Sequence, residues 1–201
     1  MTHTPGWQQV YDFWYPSDID GADLNRYLEI AKWWVLVGAN AEVSRFSHIV
    51  ESAKAGLLND WLWDSKGRLS LILVLDQFTR GLFAGTPEAF TSDPIALQIA
   101  ESGFRNGHYA SLNKMWERSF FCLPLIHTEG ENHAARIQRV IDLAMIERNA
   151  NPPHLLPIFD RGVELAKQRL ETVLRFGRFP HRNSALGRES TRDEIDFLEK
   201  G

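Results

Sequence analysis

Residues 69–83 read LSLILVLDQFTRGLF, and the way this run is taken decides the fold. Its first seven residues are apolar apart from Ser70, so hydrophobic period does not separate a buried strand from a buried helix. A lone strand would leave its backbone N–H and C=O groups without partners. No second stretch of similar character exists to pair with it, so the run is read as a buried helix.

Helix signals continue on both sides of it. Trp7, Val10, Tyr11 and Trp14 follow the i, i+3, i+4, i+7 spacing of an amphipathic helix. Residues 22–37 form a second apolar segment ended by Gly38, and Val43, Phe46, Val50, Ala53 and Leu57 mark a third helix from near Asn40. Thr86-Pro87-Glu88 places proline after an N-cap, and Asp93-Pro94 repeats the device to launch residues 95–106, closed by Gly107. A helix from Met115 is expected to end near Cys122, before Pro124. Thr128 and Glu131 have capping-box spacing and are read as heading a long helix to Asn149, broken by Asn151-Pro152-Pro153. Residues 155–176 follow, stopped by Gly177, and Thr191 with Glu194 forms a second capping box for a short last helix. The expectation is an all-α array of about eight or nine helices. With no internal repeat and no linker, it is read as one domain over residues 1–201.

Composition agrees with a folded domain and narrows the partners. A hydrophobic fraction of 44% and a charged fraction of 24% are ordinary globular values, which argues against disorder. A formal charge of −4 gives no reason to expect nucleic acid or an anionic membrane as a partner. The single cysteine, Cys122, permits no internal disulfide. The start, MTHTPGW, lacks the basic and apolar regions of a secretory signal, and the unbroken apolar run 71–75 is too short to span a bilayer. A cytoplasmic location is expected. No cofactor is called for, and the sequence leaves the oligomeric state open.

Polar residues gather in three places. Asp76 and Arg80 lie four apart on the most apolar helix and share a face with Leu69 and Leu73. They are read either as an ion pair at the core rim or as part of a larger polar cluster, because isolated charges are costly to bury. Arg118 sits on the aromatic helix, and His127-Thr128-Glu129 follows Pro124. Placed just before a helix N-terminus, His127 is expected to stay neutral and serve as a base. The alternation His127, Glu129, Glu131, His133 invites a metal reading but lacks the i, i+4 histidine pair of a helical zinc site. Cys122 with His127 is a weak nucleophile arrangement, better read as a small buried hydrophobe. The densest polar stretch is 175–183, RFGRFPHRN; from Arg161 to Arg192 eight Lys/Arg stand against three Glu. That is either a solvated basic edge or a set of guanidinium forks suited to a carboxylate or phosphate.

Three long motifs, LDQFTRGLFAGTPEAFTSDPIAL at 75–97, RSFFCLPLIHTE at 118–129 and RFGRFPHRNSALGREST at 175–191, resemble a bacterial family described only as a domain of unknown function. Its usual wording is close to LDQFPRNIFRGTPRAFATDP, LPFEHSED and RFGRFPHRNAxLGRxST. The resemblance covers most of the chain after Leu69. It implies a helical fold similar to tetratricopeptide-repeat proteins and brings no established activity. Thr79 stands where the family tends to have proline, Gly81-Leu82 where it has Asn-Ile, and Gly130-Glu131-Asn132-His133 replaces the usual Asp-Leu-Ala-Asp, which weakens any site built on His133.

Two functions are carried forward. One is an enzyme acting on a small anionic molecule, aromatic or not. Its catalytic set would be His127, Asp76 and Glu129, and Arg80, Arg118, Arg178, His181 and Arg182 would hold the substrate. Trp33, Trp34, Trp61 or Trp63 would wall the pocket. Proton abstraction, hydrolysis and cofactor-free oxygenation all suit such a site. The other is a helical-repeat-like module that binds a peptide or protein partner without catalysis. Against both stands a purely structural role for every motif.

Overall fold

The computed structural model describes residues 6–37 and 41–200. Among them are nine α-helices of seven residues or more, and no strand. The all-α reading holds. Contacts gather the chain into two compact units. The first comprises residues up to Ala84 with Glu88–Pro124, and the second comprises Gly85–Pro87 with the residues from Leu125 onward.

In the first unit, α1 (Gln8–Trp14) buries Val10 and Trp14, as its spacing requires. Helix α2 (Leu24–Val37) follows, and the Trp34 indole N–H donates to the Trp14 carbonyl at 2.8 Å. The expected third helix is shorter than its apolar spacing suggests: a 3-10 stretch, Ala41–Phe46, leads into α3 (Ser47–Lys54). Gly38 and Asn40, read as a stop and a start, lie outside the described residues.

The decisive run begins at Asp64, whose carboxylate accepts the Lys66 and Gly67 N–H groups at 2.8 and 3.0 Å and so satisfies two open donors of the helix start. It continues as α4 (Ser65–Ile72), a π-helical turn (Leu73–Phe78) and α5 (Thr79–Leu82). Leu69 and Leu73 to Leu75 have no solvent exposure, because α4 packs on α1 and the helices that follow it while the π turn packs on α3. Those helices are α6 (Asp93–Arg105) and α7 (His108–Ser111), and α8 (Met115–His127) comes next in the chain. At Gly103 in α6 an added Cβ would lie 2.5 Å from the Phe121 ring and 2.7 Å from Arg68 Cδ. Arg68 itself is only 5% exposed and donates to the Ile99 carbonyl at 2.9 Å, Ser102 Oγ at 2.6 Å, the Leu62 carbonyl at 3.1 Å and His108 Nδ1 at 3.1 Å.

Three local expectations are corrected. Helix α8 does not stop before Pro124 but carries the proline inside it and ends at His127. The missing N–H and ring clash of a mid-helix proline are tolerated where Leu125 and Ile126 are buried. The spacing of Thr128 and Glu131 is not a cap, since the next helix, α9, is His133–Ala150 and starts after Gly130 and Asn132, both at positive φ. Thr86-Pro87-Glu88 yields only a 3-10 turn, Pro87–Ala89.

In the second unit, α9 and α10 (Leu156–Phe176) pack side by side as an αα-hairpin, joined across the Asn151-Pro152-Pro153 break and tied by Arg148 Nε to Asp160 at 2.5 Å. Gly177, at φ 70°, returns its N–H to the Val173 carbonyl at 2.8 Å and closes α10 where the sequence places the stop. A 3-10 turn, Pro180–Arg182, leads toward α11 (Arg192–Lys200). The second capping box is present: Thr191 N–H donates to Glu194 Oε2 at 2.8 Å, and Glu194 N–H to Thr191 Oγ1 at 3.3 Å.

Candidate functional site

Asp76 lies in the π turn with no exposure, and π turns recur at functional positions because they re-aim side chains. Arg80 Nη1 stands 3.2 Å from its Oδ1 and also bonds the Asp76 carbonyl. The Gln77 amide donates to Oδ2. The Nη2 group of Arg80 reaches both oxygens of Asp93, at 2.9 and 3.0 Å, and the guanidinium lies 5.8 Å from the Phe90 ring centre. The pair on one helical face is thus part of a larger cluster, with a second buried acid. Asp93 reads in the sequence as a cap; the position before it, Ser92, takes that place, and the Asp93 carboxylate takes Arg80. Arg118, also of this unit, donates to the Leu112 carbonyl at 2.8 Å with its guanidinium 5.7 Å from the Tyr109 ring.

The remaining candidates belong to the second unit. Half-buried His127 is the last residue of α8 and does not stand just before a helix start, so the dipole argument made for it from the sequence does not apply. Glu129 accepts the Phe179 N–H at 2.7 Å and Arg188 Nη1 at 2.6 Å, while Arg188 Nη2 reaches the Phe179 carbonyl at 3.2 Å. Loss of solvent alone would raise the Glu129 carboxyl, but Arg188 and the Phe179 N–H outweigh it and hold the group below the usual carboxylate range. Arg178 meets Glu194 through Nε at 2.7 Å and Nη2 at 2.8 Å, and Asn183 Nδ2 adds a bond to Glu194 at 3.2 Å.

Around Phe179 the rings stack. The Arg182 guanidinium, from a side chain only 4% exposed, lies 4.9 Å from its centre; His181 lies 5.4 Å away, tilted by 33°; and buried His133 meets it edge-on at 5.1 Å. His133 Nε2 is 2.6 Å from the Ile126 carbonyl, which can only accept, so the proton is on Nε2 and Nδ1 is left as a buried acceptor without a partner. His181 keeps an exposed surface. Partial loss of solvent, then the charges of Arg182 and Arg169, lower its pKa below the ordinary histidine value.

The structure therefore brings Asp76 and Arg80 together in one unit, and Glu129, His181 and Arg182 around Phe179 in the other. Three guanidinium forks, those of Arg80, Arg178 and Arg188, face carboxylates of the chain itself. Sequence reasoning passed over Asp93, Glu194 and Arg68 as members of polar networks. Arg188 entered only through its place in the third stretch, 175–191. Among the described residues no three His, Cys, Asp or Glu side chains converge as a metal ion would need.

A family model, that of a bacterial protein of unknown function (DUF924), matches residues 10–201. The chain belongs to this family. No curated protein matches it. A solved structure, that of the protein of unknown function ATU0120 from Agrobacterium tumefaciens, is similar to it at 32% identity with a TM-score of 0.75, over 97% of each chain. The matched region includes the residues just described, Asp76, Arg80 and Asp93 in the first unit and Glu129 and Arg178 to Arg188 in the second.

Proposed function

We propose that the protein binds a small anionic molecule at the Phe179–His181–Arg182 corner of its second unit and acts on it by general-base chemistry, with His181 as the base. The observation that carries this reading is the exposed His181 imidazole stacked on Phe179 in surroundings that keep it unprotonated at neutral pH. A neutral ring nitrogen beside guanidinium charge can take a proton while an anion is held nearby. Glu129, tied to Arg188 and the Phe179 N–H, acts here as the strut that fixes Phe179. The reaction is proton abstraction, hydrolysis, or oxygenation after deprotonation.

The test is a pH and ligand titration of the His181 ring signals by NMR, with inorganic phosphate and acetate as probes and native mass spectrometry to find a co-purified acid. An apparent pKa below the ordinary value and shifts at His181 on anion addition support the reading. A His181 titrating at the ordinary value, with signals unmoved by either anion, overturns it. The exposed Trp63 and Leu57, 87% and 73% accessible, favour the second reading, a face in the first unit for a peptide or protein partner.

A further inference from the structure

On α10 the side chains of Gln168, Glu171, Thr172 and Arg175 follow the i, i+3, i+4, i+7 spacing that sets them on one face. With Phe197 of α11 they line a cleft of about 330 Å³ in the second unit, a volume at the small end for ligand sites. Gln168, Glu171 and Arg175 are exposed, Thr172 and Phe197 half-buried, and none of the five belongs to the His181 corner. Glu171 and Arg175 stand four apart, acid first, the order in which such pairs close best on a helix surface. Glu101 with Arg105 and Arg192 with Asp196 do close, at 3.9 and 2.9 Å. Glu171 and Arg175 make no ion pair or hydrogen bond with each other, nor does either side chain make one with any other described residue. The Arg175 guanidinium lies instead 4.7 Å from the Phe176 ring centre and 6.0 Å from that of Phe197, two rings that meet at 5.2 Å. Stacking holds the fork over carbon and leaves its N–H edges open. Near Glu171 the open atoms are acceptors. The Thr172 hydroxyl donates to the Gln168 carbonyl at 2.8 Å and the Gln168 amide to Glu164 at 3.2 Å, which leaves oxygen lone pairs on both side chains.

We infer that this cleft binds a free α-amino acid with an apolar side chain, its ammonium group on Glu171, Thr172 and Gln168 and its carboxylate on the Arg175 fork. The donor and acceptor inventory sets the orientation. An ammonium carries three N–H donors and meets three oxygens at one end of the cleft. A guanidinium takes a carboxylate through two parallel bonds at the other. Residues 171 and 175 are separated by about 6 Å along the helix axis, a span that the two charged ends of an amino acid bridge when each adds one hydrogen bond. One acid and one base leave the cleft with no net attraction for a simple anion or a simple cation. A zwitterion is the species that satisfies both at once. The Phe197 ring supplies the wall for the side chain.

The experiment is a residue-resolved NMR titration of the full chain at neutral pH with three ligands: L-phenylalanine, N-acetylphenylalanine, which lacks the ammonium, and phenylalaninamide, which lacks the carboxylate. Shifts at Thr172, Arg175 and Phe197 are expected with phenylalanine. Each blocked form should bind roughly three- to tenfold more weakly, the worth of a charged hydrogen-bonded contact discounted for an exposed site. Glu171→Gln should erase the preference over the N-acetyl form, and Arg175→Gln the preference over the amide. Both positions are exposed, so neither variant should melt appreciably lower, and the three-ligand series in the unaltered chain tests the inference without any variant. Absence of shifts with phenylalanine, equal affinity of the three ligands, a preference that survives its matching substitution, or shifts confined to residues outside the cleft would each overturn it.

Discussion

Arg178 grips Glu194 fork to fork, Nε to Oε1 at 2.7 Å and Nη2 to Oε2 at 2.8 Å, so that the capping residue of α11 is also the anchor of the loop that carries His181. The Arg178 hydrogen bonds, helped by the Thr191 N–H, lower the Glu194 pKa from 4.5 to about 2. A lowered carboxyl stabilises the fold above its ordinary value and loses that contribution as pH falls toward the folded value. Melting temperature measured against pH should therefore decline between 4.5 and about 2, and Glu194→Gln should flatten that part of the curve while melting lower at neutral pH.

The histidines act earlier in an acid titration. Burial, with lesser help from nearby arginines, lowers the pKa of His133, and His108 is lowered by burial and then by Arg68. A lowered histidine resists protonation in the fold but not in the unfolded chain, so its contribution is complete above the ordinary 6.5 and is lost as pH drops below it. A stability loss beginning below neutrality, reduced in His133→Gln, is the expected result in thermal melts at pH 7.5 and pH 5.5. An identical pH dependence in the variant would count against it.

Arg80 is the guanidinium shared by two buried acids. Arg80→Met should cost about 3 kcal/mol in urea unfolding, the usual penalty for removing one partner of a buried pair. Arg80→Lys should recover only part of this, because an ammonium cannot span both Asp93 oxygens in the same plane.

Two glycines mark close approaches within the first unit. At Gly67 an added Cβ would meet the Trp61 carbonyl oxygen at 2.5 Å, and at Gly103 the Phe121 ring at 2.5 Å. Overpacking of this kind costs about 1–3 kcal/mol. Gly67→Ala should be the worse, since a backbone carbonyl yields less than a ring or the Arg68 side chain; chemical denaturation of the two variants ranks them.

Where local chemistry and tertiary packing agree, the sequence was a sound guide. Gly177 ends α10 and Thr191 with Glu194 caps α11, because the bonds that Arg178 and Asn183 make to the Glu194 carboxylate leave both capping bonds in place. Thr128 and Glu131 carry the same spacing, yet Arg136 bonds both their carbonyls and the chain turns through Gly130 and Asn132 before a helix begins. Pro124 misled in the same way: the preference of proline is a local bias, and burial of Leu125 and Ile126 outweighs it. The cluster around Asp76 was legible in outline, since a buried acid and arginine call for more polar company. Its second acid was not, because Asp93 before a proline looks like a cap. Arg68 gave no sign at all, since a guanidinium bonded to carbonyls, a serine and a histidine leaves no acidic partner to notice.

The π turn at Leu73–Phe78 acts as a phase shifter for the helix that contains it. Each residue of an ordinary α-helix advances about 100° around the axis, so one extra residue in a wide turn rotates everything downstream by that angle relative to α4. Deleting a single residue there would let the run relax to regular pitch with its apolar start unchanged. Straightening the turn without shortening the chain would instead swing Arg80 around the axis and away from Asp93, uncoupling two positions that the wild-type register holds face to face.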